Sequence, residues 1–167
     1  EPKGGKSCVV TAEREAFAAG AKSDKAEVKK AVDAMVMKLA GKSSPEEAWR
    51  CFVSKGETVG LKFNGLFRNA STSPVVVWAV ARGLVDAGHP EEKIIVFDWR
   101  ERDYRTAGVK PFGDTPKVPL LTSDSAWDAE VSAGPVKTRL TKIITEKVDA
   151  LINIPRLKHH VRAGVTI

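Results

Sequence analysis

Lys93-Ile94-Ile95-Val96-Phe97 is apolar along its length rather than at every second residue. A strand written this way expects cover on both faces, and that pattern belongs to parallel sheets packed with helices. The surrounding sequence supplies the helices. Asp24 is placed as an N-cap with Glu27 three residues later, and Val28, Ala31, Val32, Met35, Val36 and Leu39 follow at helical spacing until Gly41. Ser44-Pro45-Glu46-Glu47 is a second start signal, predicting a short helix that carries Ala48, Trp49, Cys51 and Phe52. Ser73-Pro74 opens a third, whose apolar content (Val75 to Val77, Trp78, Val80, Leu84, Val85) runs nearly all round before Gly88. A helix this apolar is covered by a sheet or by a partner.

Strands fall between these helices. Ser7-Cys8-Val9-Val10-Thr11 is β-prone and reads as a first strand, Thr58 to Phe63 as a second, Lys93 to Phe97 as a third and Asp149 to Pro155 as a fourth. Lys55-Gly56-Glu57 is a turn into the second strand. Residues 100–135 are rich in Asp, Arg, Gly, Pro and Ser with weak periodicity, and read as a long excursion with a short strand at Val118-Pro119-Leu120-Leu121. Arg139 to Glu146 reads as a short amphipathic helix. The alternation predicts an α/β fold: a mainly parallel sheet with right-handed crossovers and helices on both faces, a three-layer sandwich.

The 167 residues suffice for one domain, and a chain of that length buries about 70% of its unfolded surface. The expected organisation is a polar lead over residues 1–6 and a single α/β domain over 7–167. No apolar run reaches the roughly 20 residues of a spanning helix. Twenty-seven Lys and Arg against 21 Asp and Glu give +6, which favours anionic partners. The start at Glu1-Pro2-Lys3 without Met reads as processed, and Gly164-Val165-Thr166-Ile167 reads as a chain cut inside an apolar run, leaving the domain truncated at its C-terminus. Cys8 and Cys51 are the two cysteines. They are too few for a cubane cluster or a structural zinc site and read as free thiols, with a disulfide open if the protein is exported.

In a parallel sheet, ligands bind beyond the carboxyl ends of the strands. Past the second strand come Lys62, Asn64, Gly65 and Asn69, then Ser71-Thr72-Ser73 at a helix start. Past the third come Asp98, Trp99, Arg100, Glu101, Arg102 and Asp103, and past the fourth Arg156, Lys158, His159, His160 and Arg162. Plainer readings stand beside these: Lys62 as a snorkelling edge residue, Asn64-Gly65 as a turn, and Ser71 to Ser73 as a cap or an anion site. The charges from Asp98 to Asp103 suit a solvated surface, although a carboxylate directly after a buried strand is also a common ligand or orienting group. Arg156 to Arg162, with three cations and two histidines, is either a basic surface loop or a pocket for an anion. In the pocket reading Lys158 and His160 are the catalytic candidates, for charge holding and proton transfer. Lys62, Asn64, Ser71, Thr72, Asp98, Arg100 and Arg156 are then ligand-binding candidates, and His160 and Asp98 are candidates for a metal of unknown identity.

The phosphate-loop, dinucleotide, serine-elbow and H-E-x-x-H patterns are absent. Nucleic-acid binding is disfavoured, because the basic residues are dispersed and no aromatic–basic recognition motif is present.

Val59-Gly60-Leu61-Lys62-Phe63-Asn64, Ser71-Thr72-Ser73-Pro74, Ile94 to Asp98 and Asp149 to His160 together resemble the domain of unknown function 362 family. The likeness is closest to its exported branch, in which a segment like Ala48-Trp49-Arg50 precedes the second strand. It extends from about Cys8 to Ile167, and Lys158 and His160 match the family's L-K-x-H while His159 falls on its variable position. The resemblance implies an α/β fold, an iron–sulfur association, a twin-arginine export signal and hence an exported or periplasmic location, with a cytoplasmic one left open. It also implies a continuation beyond Gly-Val-Thr. The family's four-cysteine cluster motif is missing here, so the cofactor is unknown and the iron–sulfur cluster rests on the family alone. Two functions are expected to compete. One is binding of an anionic small molecule or metal-bound cofactor at the strand ends, with a redox role. The other is a non-catalytic binding or assembly module, which uses the Pro74–Leu84 helix and the C-terminal edge and completes its fold with a partner chain, a second copy or a missing C-terminal segment.

Overall fold

The computed structural model describes residues 7–13, 15–17, 22–67, 70–109, 119–122, 127–162 and 164–166. A four-stranded parallel sheet is its centre. Its strands are β1 (Val59–Phe63), β2 (Ile94–Asp98), β3 (Leu120–Thr122) and β6 (Ala150–Ile154), in the order β3-β2-β1-β6. Val59 pairs with both Ile94 and Ala150, so β1 is central and draws its neighbours from distant parts of the chain. The mainly parallel α/β class expected from the continuous apolar run is the observed one.

The helices start and stop where their caps lie. In α1 (Lys25–Ala40) the Asp24 carboxylate accepts from the Glu27 N–H at 2.9 Å, and Gly41 ends the helix at φ +64°. In α2 (Pro45–Trp49) the Ser44 hydroxyl accepts from the Glu47 N–H. α3 runs Pro74–Asp86, and its apolar circumference is covered by this chain itself. Val77, Ala79 and Ala81 are fully buried in the cluster that also holds Val28 and Val32 of α1, Trp49 of α2, and Val59, Leu61, Phe63, Ile94 and Val96 of the sheet. Most of the apolar surface of that helix is spent on the core, with Val76, Trp78 and Val85 partly buried against it.

Two glycines permit close approaches. A Cβ at Gly60 would meet Phe97 at 2.9 Å and Val148 at 3.0 Å, and one at Gly83 would fall 2.5 Å from the Trp49 indole nitrogen. The sheet and the α2–α3 contact both depend on the missing side chain at those positions.

Three expectations are corrected. Ser7 to Thr11 is not a strand; Val9 is 80% exposed, and β-propensity without a neighbouring strand makes no ladder. The span read as an excursion holds α4 (Glu101–Ala107), β3 and β4 (Trp127–Ala133). Arg139 to Glu146 is not one helix: its first part is strand and only its second part is helical. β5 (Val136–Thr141) pairs antiparallel with β4, and a single π-helical turn follows at Ile143–Lys147. A second hairpin joins β7 (Lys158–His160) to β8 (Gly164–Thr166). The expected strand near 118–121 is β3, with Val118 outside the described residues, as is the lead over residues 1–6. Among the described residues no helix is long and apolar enough to cross a membrane.

Candidate functional site

β1, β2 and β6 run parallel, so Phe63, Asp98 and Ile154 finish at one edge. The chain leaves β1 through α3 to reach β2 on one side, while β6 lies on the other. Connections that diverge from one strand leave a crevice beyond its end.

Thr72 ties the crevice together. Its hydroxyl donates to the Ile154 carbonyl at 2.7 Å and accepts from the Asn64 N–H at 3.0 Å, while its own N–H donates to the Asn64 carbonyl at 2.8 Å. One buried threonine thus fixes the end of β1, the end of β6 and the approach to α3. Ser71 is buried too; its hydroxyl donates to the Phe67 carbonyl at 2.6 Å, and its own carbonyl accepts from Arg156 at 3.4 Å. The Ser71-Thr72-Ser73 segment is used for this bracing, and Ser73 makes no side-chain cap bond to α3.

Asp98 closes β2 and is 6% exposed. Lys62 Nζ donates to its Oδ1 at 2.9 Å, and the Gly65 N–H donates to its Oδ2 at 2.7 Å. The Asp98 N–H donates to the Tyr104 hydroxyl at 3.1 Å, and Lys62 also donates to the Phe63 carbonyl. Asp98 is accordingly an orienting carboxylate with a hydrogen-bond donor on each oxygen. Gly65 reaches it only because it lacks a side chain, since a Cβ there would lie 2.4 Å from the Asp103 carbonyl oxygen.

Lys158 arrives from β7. Its Nζ donates to Asn64 Oδ1 at 2.6 Å and lies 5.4 Å from the centre of the Phe67 ring, a cation–π distance. Burial pushes the Lys158 ammonium below the usual lysine value; Lys62 and Arg156 push the same way by repulsion, and Asp98 opposes them. Lys62, Arg156, Lys158 and Asp98 thus share one electrostatic neighbourhood, three cations to one carboxylate.

The remaining candidates sit differently. Arg100 precedes α4, with its guanidinium 4.0 Å from the Trp99 ring and its Nε and N–H both directed at Asp103 Oδ2. His160 is exposed on the β7–β8 hairpin, and its Nδ1 accepts from the Arg162 N–H at 3.2 Å. Asn69 lies outside the described residues. Among the described residues no three of His, Cys, Asp and Glu gather in a way that could hold a metal ion. Cys8 and Cys51 are both exposed free thiols, and two thiols do not fit the four-thiolate requirement of a cubane cluster.

Sequence reasoning passed over Tyr104 and Phe67, placed Asp103 in a charge run rather than in the buried edge, and read Asn64-Gly65 as a turn beside its strand-end reading. A tyrosine inside a run of charges was the one available signal for the first. The need for glycine at position 65 is set by a backbone 38 residues later, which local sequence does not display.

Compared with known proteins, residues 59–167 match the family described as domain of unknown function (DUF362). No curated protein and no solved structure matches the chain.

Proposed function

From the premise that the chain belongs to the domain of unknown function 362 family, we propose that its strand carboxyl edge binds an anionic small molecule or metal-bound cofactor. The observation that carries this reading is geometric: Lys62 at the end of β1, with Arg156 and Lys158 beyond β6, gather around Asn64, Ser71 and the one carboxylate of Asp98 among the described residues. Like charges held together at a partly buried edge cost free energy that an anionic ligand relieves. Lys62 and Asn64 are positioned by Asp98 and Thr72, and the ligand is met by Lys158 and Arg156. Lys158 holds charge against the anion, and burial holds its ammonium below the ordinary lysine value, which favours a part in proton transfer as well. His160, two residues along the same strand, is the second candidate for that role. A redox task and action after export belong to this proposal on the family resemblance alone.

The test uses inorganic phosphate and citrate as probes in titration calorimetry. We expect saturable binding of at least one, weakened about tenfold or more in Lys158→Gln and in Arg156→Gln, the loss of one charge-assisted hydrogen bond. Unchanged affinity in both variants, or no binding of either probe, would overturn the reading.

A second reading, a partner-binding module, is favoured by Leu157, Val161 and Val165, which are 70%, 88% and 56% exposed around the β7–β8 hairpin beside the edge strand β6. Light scattering after size exclusion separates the two: a monomer at micromolar concentration counts against self-assembly through that hairpin.

A further inference from the structure

A cleft of about 480 Å³ opens between the end of α2 and the end of α3, at the amino edge of the sheet and away from the residues described above. Its size is that of a small-ligand pocket. Trp49, Val53, Leu84 and Ala87 give it an apolar floor, Arg50 and Lys55 give it a basic rim, and His89 stands in its wall; among the described residues no carboxylate lines it.

The walls are held in place. The Trp49 indole donates to Asp33 at 3.2 Å and packs on Gly83, and Arg50 Nε donates to the Ala87 carbonyl at 3.0 Å, which pins the guanidinium across the mouth. Glu57, the nearby acid, is turned back on its own loop and accepts from the Ser54 N–H at 2.7 Å.

His89 supplies an independent observation. It is 8% exposed, and its Nε2 is buried with no hydrogen-bond partner among the described residues. Buried polar nitrogens are nearly always paired, so this one marks the wall of the cleft as unusual. Fixed walls, an apolar floor and a rim carrying Arg50 and Lys55 define the complementary molecule.

We propose that this cleft is a second ligand site, which takes a small organic carboxylate with an apolar body. The hydrocarbon or ring lies on Trp49, Val53 and Leu84, and the carboxylate faces Arg50 and Lys55. The proposal does not rest on the strand-end reading, because none of the residues of that site lines this cleft.

Hexanoate, with hexanol as its neutral counterpart, tests it by NMR on the isotope-labelled chain. Hexanoate should give saturable shifts at the Trp49 indole N–H, the Gly88 amide and the His89 ring nitrogens. Hexanol should bind about tenfold more weakly. Lys55→Glu, a change at an exposed position, should weaken hexanoate about tenfold and leave hexanol unchanged. Lys158→Gln should change neither. Absence of saturable shifts, equal binding of hexanol, or an unaltered hexanoate affinity in Lys55→Glu would each overturn the proposal.

Discussion

Lys158 and Asn64 are 94 positions apart in the chain, yet the ammonium of one lies 2.6 Å from the amide oxygen of the other. Asn64 can hold that place because its backbone is bonded on both sides to Thr72. The contact joins β7 to the end of β1 and sets a lysine among two other cations, so the chemistry of this edge depends on how Lys158 titrates.

Lys158 should lose its proton below 10.5, the ordinary lysine value, when followed by NMR at its side-chain Cε. Asp98→Asn should lower that pKa further, because Asp98 raises it, and Lys62→Met should move it back up. The folded pKa lies below the unfolded one, so the folded state releases this proton first. The penalty of a charged Lys158 is thus present at lower pH and relieved as pH rises through the folded pKa toward 10.5.

Thr72→Val keeps the shape of the side chain and removes its hydroxyl. The Ile154 carbonyl loses a donor in a buried setting and the Asn64 N–H loses an acceptor in a partly buried one. The expected cost is about 1–3 kcal/mol in urea unfolding, with Thr72→Ser costing less. Amide exchange at Asn64 should speed up in the valine variant.

Gly65→Ala should destabilise by about 1–3 kcal/mol, because the new Cβ meets a backbone carbonyl that has no rotamer by which to move away. It should also disturb the donor to Asp98, so anion binding at the strand edge should weaken together with the loss of stability. Gly41→Ala serves as the contrast: its Cβ would meet nothing within 4 Å, and the cost comes from its positive φ alone.

Asp86 gives the fold an acid limit. Burial works to raise its pKa, but hydrogen bonds and charge from Arg82 and Lys29 outweigh it and hold the carboxyl below 3.8. The stabilisation is present above the unfolded value and is lost as pH falls through the folded one. Thermal unfolding between about pH 5 and pH 2 should therefore show a shallower acid decline in Asp86→Asn than in the parent chain.

The parts of the fold that were legible in the sequence are those whose cause is local. Asp24 with Gly41, Ser44-Pro45 and Ser73-Pro74 carry their own start or stop signals, and Ile94 to Phe97 announces its two-sided burial. The β4–β5 hairpin also had a local signal, Trp127, Ala129 and Val131 alternating with polar residues before Gly134-Pro135. That alternation was passed over because Leu140, Ile143 and Ile144 also suit a short helix. In the hairpin Val131, Val136 and Leu140 are each about half exposed, so burial did not sharpen the pattern. For the strand edge, the parallel order was enough to bring Lys62, Asn64, Thr72, Asp98, Arg156 and Lys158 together. It could not say that Arg100 turns to Trp99 and Asp103, because that choice is made by the start of α4.

The central place of β1 also bears on how the protein is born. Thr58 and Asp149, joined by a hydrogen bond at the entry to β1 and β6, are 91 residues apart. A ribosome adding about 5–20 residues per second needs roughly 5–20 s to cover that interval. Throughout it β1 presents one bare edge, and its other edge finds β2 early. Sheet completion is thus a late, non-local event of the kind that slows folding. During that window the edge of β1 that β6 will cover is open to pairing with a strand of another chain.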